Sequence, residues 1–207
     1  MKLAYLDLAL DSPGRAVVAL HREMVRNTDD AVGFVRDSGL FSRAVVPTAL
    51  YAYHPSGMEV GGTTWYRMLP GFEGTDPISM TAAILQVCDL LHHVEVERPV
   101  LVGWGQGALV ALAAGLLRAD AVGPVVCCDT PIAHVRLLPM AVLDVPVAPD
   151  LSLAATGVHR EPELAEVEKL LAGHKIAATT WCWSGEGTQR ELDQALASRI
   201  GRWIDHE

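Results

Sequence analysis

Basic residues are scarce in this chain and nowhere clustered. Lysine and arginine together number 16 against 25 acidic residues, giving a net charge of −9. A surface that binds nucleic-acid phosphates needs concentrated Lys and Arg, so nucleic acid is excluded as a partner, and the acidity serves solubility. No apolar run approaches the roughly 20 residues of a membrane-spanning helix. The apolar N-terminus is interrupted by Asp7 and carries no cleavage site, so it is not read as a signal peptide. No membrane partner is expected, and a cytoplasmic location is. There are only four cysteines, Cys88, Cys127, Cys128 and Cys182. Cys127 and Cys128 are adjacent, point to opposite faces of a strand and make no ordinary pair. No C-x-x-C or comparable ligand spacing occurs. Free thiols, no metal site and no cofactor are the expectation. At 207 residues, half of them apolar, the chain is long enough for one domain with a full core (1–207).

What is present is organised around residues 99–112, PVLVGWGQGALVAL. Residues 99–102 form a short apolar run, as a strand inside a parallel sheet would. Gly103, Gly105 and Gly107 then crowd a turn in which the backbone must bend sharply and a helix must pack close to the strand. Residues 108–117 are small and apolar throughout, which predicts a buried helix. This is the frame of a nucleophile elbow, G-x-S-x-G, with Gly105 at the nucleophile's place. Glycine carries neither hydroxyl nor thiol, so covalent acyl-enzyme chemistry at this position is excluded.

Along the rest of the chain, residues 2–10 and Arg15–Leu20 read as strands. A helix follows, capped by Thr28 or Asp29, running to Asp37 and ended by Gly39. Residues 42–51 read as the next strand. Residues 51–77 read as a long loop rich in Gly, Pro and aromatics, the composition of a binding segment rather than of disorder. Ser79 reads as the N-cap of a helix over 80–93. Strands are expected at 123–128, 151–156 and 175–183, helices at 161–172 and 188–204, and irregular chain at 132–150. Alternation of strands and helices predicts an α/β fold, a mostly parallel sheet with helices on both faces. Ligands in such a fold bind beyond the carboxyl ends of the strands. Those ends fall at His21, residues 103–107, 128–130, 157–161 and 183–187.

Together these pieces resemble the α/β-hydrolase fold and, within it, the small phospholipase/carboxylesterase group that includes acyl-protein thioesterases. GWGQG stands for the group's G-x-S-x-G with Gln after the serine. Leu20-His21-Arg22 looks like its Leu-His-Gly turn, and Gly61-Gly62-Thr63-Thr64-Trp65-Tyr66 like its Gly-Gly-x-x-Trp-Phe segment. The resemblance implies a catalytic triad, and the triad does not carry over. The serine position is Gly105. The aspartate position falls on Arg160 without a gap, or on Glu161, followed by Pro162, with a one-residue slip. The histidine position, after Gly185-Glu186-Gly187, is Thr188, and His206 lies beyond the closing helix. One oxyanion donor, the backbone N–H of Gln106, survives with the turn. Arg22, Glu23 and Met24 replace the glycine pattern that supplies the other. An engineered loss of serine would explain Gly105 but not Thr188.

The candidate catalytic residues are therefore Glu161, His159 and Gln106. A carboxylate two residues from an imidazole suits general acid–base work, though both side chains also fit a solvated helix start. The candidate substrate-binding residues are His21, Trp65, Tyr66, Trp104, Gly105, Asp129 and Trp183. His21 is equally well explained as a turn histidine bonded to backbone, Asp129 as a turn former, and each aromatic by core packing. Trp65, Trp104, Gln106, His159, Glu161 and Trp183 are expected around one cavity at the strand ends. The expected ligand is a small acyl or aromatic molecule, free or presented by a carrier protein. Two functions follow. One is a biosynthetic enzyme that transfers or rearranges an acyl ester or thioester without an acyl-enzyme. The other is a catalytically dead hydrolase fold that binds or scaffolds.

Overall fold

The computed structural model describes residues 3–23, 28–53, 62–69, 74–183, 185 and 188–204. Met24, Gly61, Glu186, Gly187 and His206, which enter the motif comparison, lie outside the described residues.

Seven strands form the main sheet in the order β1 (Tyr5–Ala9), β3 (Phe41–Pro47), β2 (Arg15–Leu20), β8 (Val100–Trp104), β9 (Val125–Cys128), β10 (Leu151–Ala155) and β11 (Thr179–Cys182). Every neighbouring pair is parallel except the edge pair β1–β3. Helices α2 (Pro77–His93), α3 (Gln106–Leu117) and α6 (Glu161–Gly173) cover one face, packing on Leu20, Leu101, Val125 and Leu153. Helices α1 (Asp29–Asp37) and α7 (Gln189–Ile204) cover the other, packing on Val17, Val102, Val126 and Ala154. The period of two along each strand sends alternate side chains to the two cores. Cys127 and Cys128 accordingly fall in different cores, both buried with free thiols that burial pushes well up from their ordinary range.

Helix α3 is buried on all sides because nearly every residue in it is apolar. Its tight seat against the sheet requires the flanking glycines. A Cβ at Gly103 would collide with the Gly107 carbonyl, and one at Gly107 with the carbonyls of Leu20 and His21. The chain moves outward from β2 to β3 and then returns, through α2, to lay β8 on the other side of β2. The sheet's order therefore reverses between β2 and β8, where a ligand crevice forms in open α/β sheets.

Three local expectations change. The N-cap of α2 is Asp76, whose carboxylate accepts from the Ile78 N–H at 3.1 Å, with Pro77 opening the helix. Ser79 lies inside the first turn, its hydroxyl accepting from the Arg67 N–H at 2.9 Å. Proline in the first turn is itself a start signal, because that N–H has no partner in a helix anyway. The segment 51–77 contains two short antiparallel pairs, β4 (Tyr51–Tyr53) with β5 (Gly62–Thr64) and β6 (Met68–Leu69) with β7 (Gly74–Thr75). The stretch 132–150 contains two single turns of helix, α4 (Ile132–Val135) and α5 (Met140–Leu143). No helix among the described residues is long and apolar enough to cross a membrane.

Candidate active site at the elbow

The elbow is built as the glycine spacing predicts. Gly105 sits between β8 and α3 at φ 54° and ψ −121°, a positive-φ conformation that favours glycine. Its N–H donates to the Cys128 carbonyl at 2.9 Å, and its own carbonyl accepts from the Ala108 N–H at 3.1 Å. The turn is therefore fixed to the neighbouring strand on one side and to the helix on the other.

The space above Gly105 belongs to Glu23. The chain leaves β2 through His21 and Arg22, and Glu23 reaches across the switch point to the elbow. Its Oε2 accepts the Gln106 backbone N–H at 2.7 Å. A Cβ built on Gly105 would collide with that same oxygen. The carboxylate lies at the N-terminus of α3, where unpaired N–H groups and the helix dipole favour negative charge. In the sequence Glu23 registers only as a departure from the glycine pattern. Glu23 and Gln106 are 83 positions apart, and no local spacing signals their contact.

The Gln106 side chain faces away from the elbow and fastens the aromatic segment. Its Oε1 accepts from the Thr64 hydroxyl at 2.5 Å and the Trp65 N–H at 3.0 Å. Trp65 in turn donates from Nε1 to the His21 carbonyl at 2.7 Å, its ring 5.3 Å from the imidazole. His21 is fully buried. Its Nε2 accepts the Ala49 N–H at 3.1 Å, so the proton lies on Nδ1, which donates to the Arg22 carbonyl at 2.6 Å. Burial lowers its pKa, and the ring stays neutral. These contacts match the plain turn-histidine explanation. Tyr66 is also buried, with its hydroxyl 2.7 Å from His134 Nδ1 on α4. Burial raises the phenol's pKa and lowers the imidazole's, while the charge of Glu23 raises both. His134 gives no signal in the sequence, where it stands in a stretch without periodicity.

Asp129, after β9, is 8% exposed and holds a positive φ of 55°. Its carboxylate accepts from the Thr156 N–H at 2.8 Å and the Thr156 hydroxyl at 2.5 Å. Arg22 approaches it at 3.8 Å and Arg160 at 3.9 Å. Arg160, at the ungapped aspartate position, is thus a cation directed at Asp129. The structure brings together His21, Trp65, Tyr66, Gly105 and Gln106, with Asp129 one strand away. Trp104 points to the opposite core, packing edge-on against Phe34 at 5.1 Å. It lines a cavity of about 150 Å³ with Phe34, His21, Arg22 and Asp193. His159 and Glu161 are exposed where α6 begins, with the His159 ring over Gly157. Trp183 is half-buried beyond β11, its N–H donating to the Ala155 carbonyl at 2.8 Å. The strand alternation that sets Val102 on the α1 face sets Trp104 there too, away from Trp65, so the expected ring around one cavity does not form. No group of acidic, histidine and cysteine side chains suited to a metal ion occurs among the described residues.

No family model matches the chain, and no curated protein matches it. Solved structures do. The chain superposes on the esterase PE8 with a TM-score of 0.71 at 20% identity, covering 99% of this chain and 100% of that one. It is also similar to Zea mays acyl-protein thioesterase 2, with a TM-score of 0.67, 14% identity and coverage of 97% and 99%. For a Bacillus cereus carboxylesterase the values are 0.65, 15%, 99% and 94%. The fold is that of the α/β-hydrolases.

Proposed function

We propose that this chain is an esterase-fold protein that binds an acyl or aromatic small molecule, free or on a carrier, and does not hydrolyse it through an acyl-enzyme. The observation that carries this reading is the Glu23 carboxylate on the Gln106 N–H, in the space of the missing side chain. In acyl transfer that N–H would stabilise a developing oxyanion, a contribution of roughly 3 kcal/mol per donor. Here the protein's own carboxylate uses it, and a second negative oxygen beside Glu23 would be repelled. The exposed positions of His159 and Glu161 leave no general base at the elbow from that side. The ligand class is carried over from the esterases and the thioesterase on which the chain superposes and from the aromatic segment 62–69.

A second reading, direct acyl transfer, is favoured by the Tyr66–His134 pair lying within the field of Glu23. On this reading Glu23 withdraws and the Gln106 N–H faces a thioester carbonyl. The acceptor's own nucleophile attacks that carbon. The new acyl–acceptor bond forms, the acyl–sulfur bond breaks, and the acceptor's proton passes to the leaving thiolate. One set of assays separates the two. Incubation with a fluorophosphonate, a chromogenic short-chain ester and an acyl thioester with and without amine or alcohol acceptors should give no labelling and no turnover. The same acyl and aromatic compounds should raise the melting temperature. Acceptor-dependent consumption of the thioester would replace the first reading by the second, and fluorophosphonate labelling would overturn both.

A further inference from the structure

A second cleft lies beneath helix α7. Its floor is the α7-facing side of three strands: Val126 of β9, Ser152 and Ala154 of β10, and Thr179 and Trp181 of β11. Its roof is the stripe Leu196, Arg199, Ile200 and Trp203, spaced i, i+3, i+4 and i+7 along the helix. The space between them is about 250 Å³.

Two residues in it break the rules of an ordinary core. An amphipathic helix keeps its cations on the solvent side, yet Arg199 stands on the sheet-facing stripe, half-buried. Among the described residues no carboxylate, hydroxyl or carbonyl pairs with its guanidinium. On the floor Ser152 is 8% exposed, a hydroxyl beside the apolar Val126 and Ala154, with Thr179 and Trp181 on the next strand. No described group hydrogen-bonds that hydroxyl either. Small side chains at 152 and 154 leave the room, and the indoles of Trp181 on the floor and Trp203 in the roof line it. A mostly apolar cavity with a few convergent polar groups is the composition of a small-molecule site. Indole walls suit a flat ring, and a guanidinium suits a carboxylate, which it binds through paired N–H donors.

We infer that the cleft between α7 and strands β9–β11 binds a small aromatic carboxylate, with its ring between Trp181 and Trp203 and its carboxylate on Arg199 and Ser152. The site is separate from the elbow, and it stands whether or not the elbow turns over an ester. The test is titration of the intact chain with indole-3-acetate, followed by calorimetry and tryptophan fluorescence, with neutral 3-methylindole and octanoate as comparison ligands. Indole-3-acetate should bind and quench fluorescence, with the two comparison ligands at least roughly tenfold weaker. Arg199→Met should weaken indole-3-acetate by roughly tenfold or more while leaving 3-methylindole unchanged, a split that simple loss of fold would not produce. Ser152→Ala, which removes the hydroxyl without adding volume, should weaken it several-fold. Absence of binding at millimolar ligand, equal affinity for 3-methylindole, or full affinity in Arg199→Met would each overturn the assignment.

Discussion

Adding one methyl group at Gly105 measures how far Glu23 and the elbow depend on each other. In Gly105→Ala the new Cβ enters a positive-φ position and costs about 1–3 kcal/mol in backbone strain. It also meets Glu23 Oε2, the far end of a flexible side chain, which must rotate away. Rotation breaks the 2.7 Å hydrogen bond to the Gln106 N–H. A hydrogen bond to a charged group is worth about 1.5–3 kcal/mol, and the low end applies because Glu23 is only half-buried. In a Glu23→Ala background the carboxylate is already gone and only the strain remains. The double variant should therefore cost less than the sum of the single variants, by about 1–2 kcal/mol. Urea denaturation of the four proteins, with equal slopes, gives this coupling directly. Additivity within about 0.5 kcal/mol would refute the claim that the two residues share one space.

Other consequences are as specific. Gln106→Ala should destabilise by about 2–4 kcal/mol, since it removes the acceptor shared by Thr64 and Trp65 in a buried site. Faster hydrogen exchange at the Trp65 amide would locate the loss. Gly107→Ala should abolish soluble folding or cost more than about 3 kcal/mol, because its Cβ meets backbone carbonyls that cannot move aside. His21 and His134 are both held below the ordinary value of 6.5, mainly by burial. A histidine kept neutral in the fold but free to charge when unfolded contributes stability that is full above pH 6.5. That stability is lost as pH falls below it, at up to about 1.4 kcal/mol per pH unit for each such group. Denaturation midpoints between pH 8 and 5 should show this decline, and a flat profile would contradict the buried neutral state.

The fold was legible because its signals are local. The apolar runs at Arg15–Leu20 and Leu151–Ala155, and the glycines around residue 105, each dictate nearby backbone. The N-cap of α2 was also written locally, in Asp76-Pro77, but the hydroxyl of Ser79 drew the boundary inward. Trp104 could have been placed from strand alternation alone, since it lies two residues beyond Val102 and must share its face. Glu23 and His134 could not. Their partners, Gln106 and Tyr66, lie 83 and 68 positions away. The crossover that sets β2 beside β8 brings Glu23 to Gln106, while Tyr66, tied to Gln106, meets an α4 that follows the neighbouring strand β9. A motif scan records a missing serine. It does not record that a carboxylate from another strand end takes the vacated volume.

The Gln106 amide proton reports that occupancy directly. A charge-assisted hydrogen bond as short as 2.7 Å should place it well downfield in a proton–nitrogen correlation spectrum of the intact chain. In Glu23→Ala it should move sharply upfield while the Ala108 and Leu109 amides, bonded to the Gly105 carbonyl, stay in place. A Gln106 resonance that is unremarkable in the unmodified protein, or that does not move when Glu23 is removed, would contradict the occupied elbow.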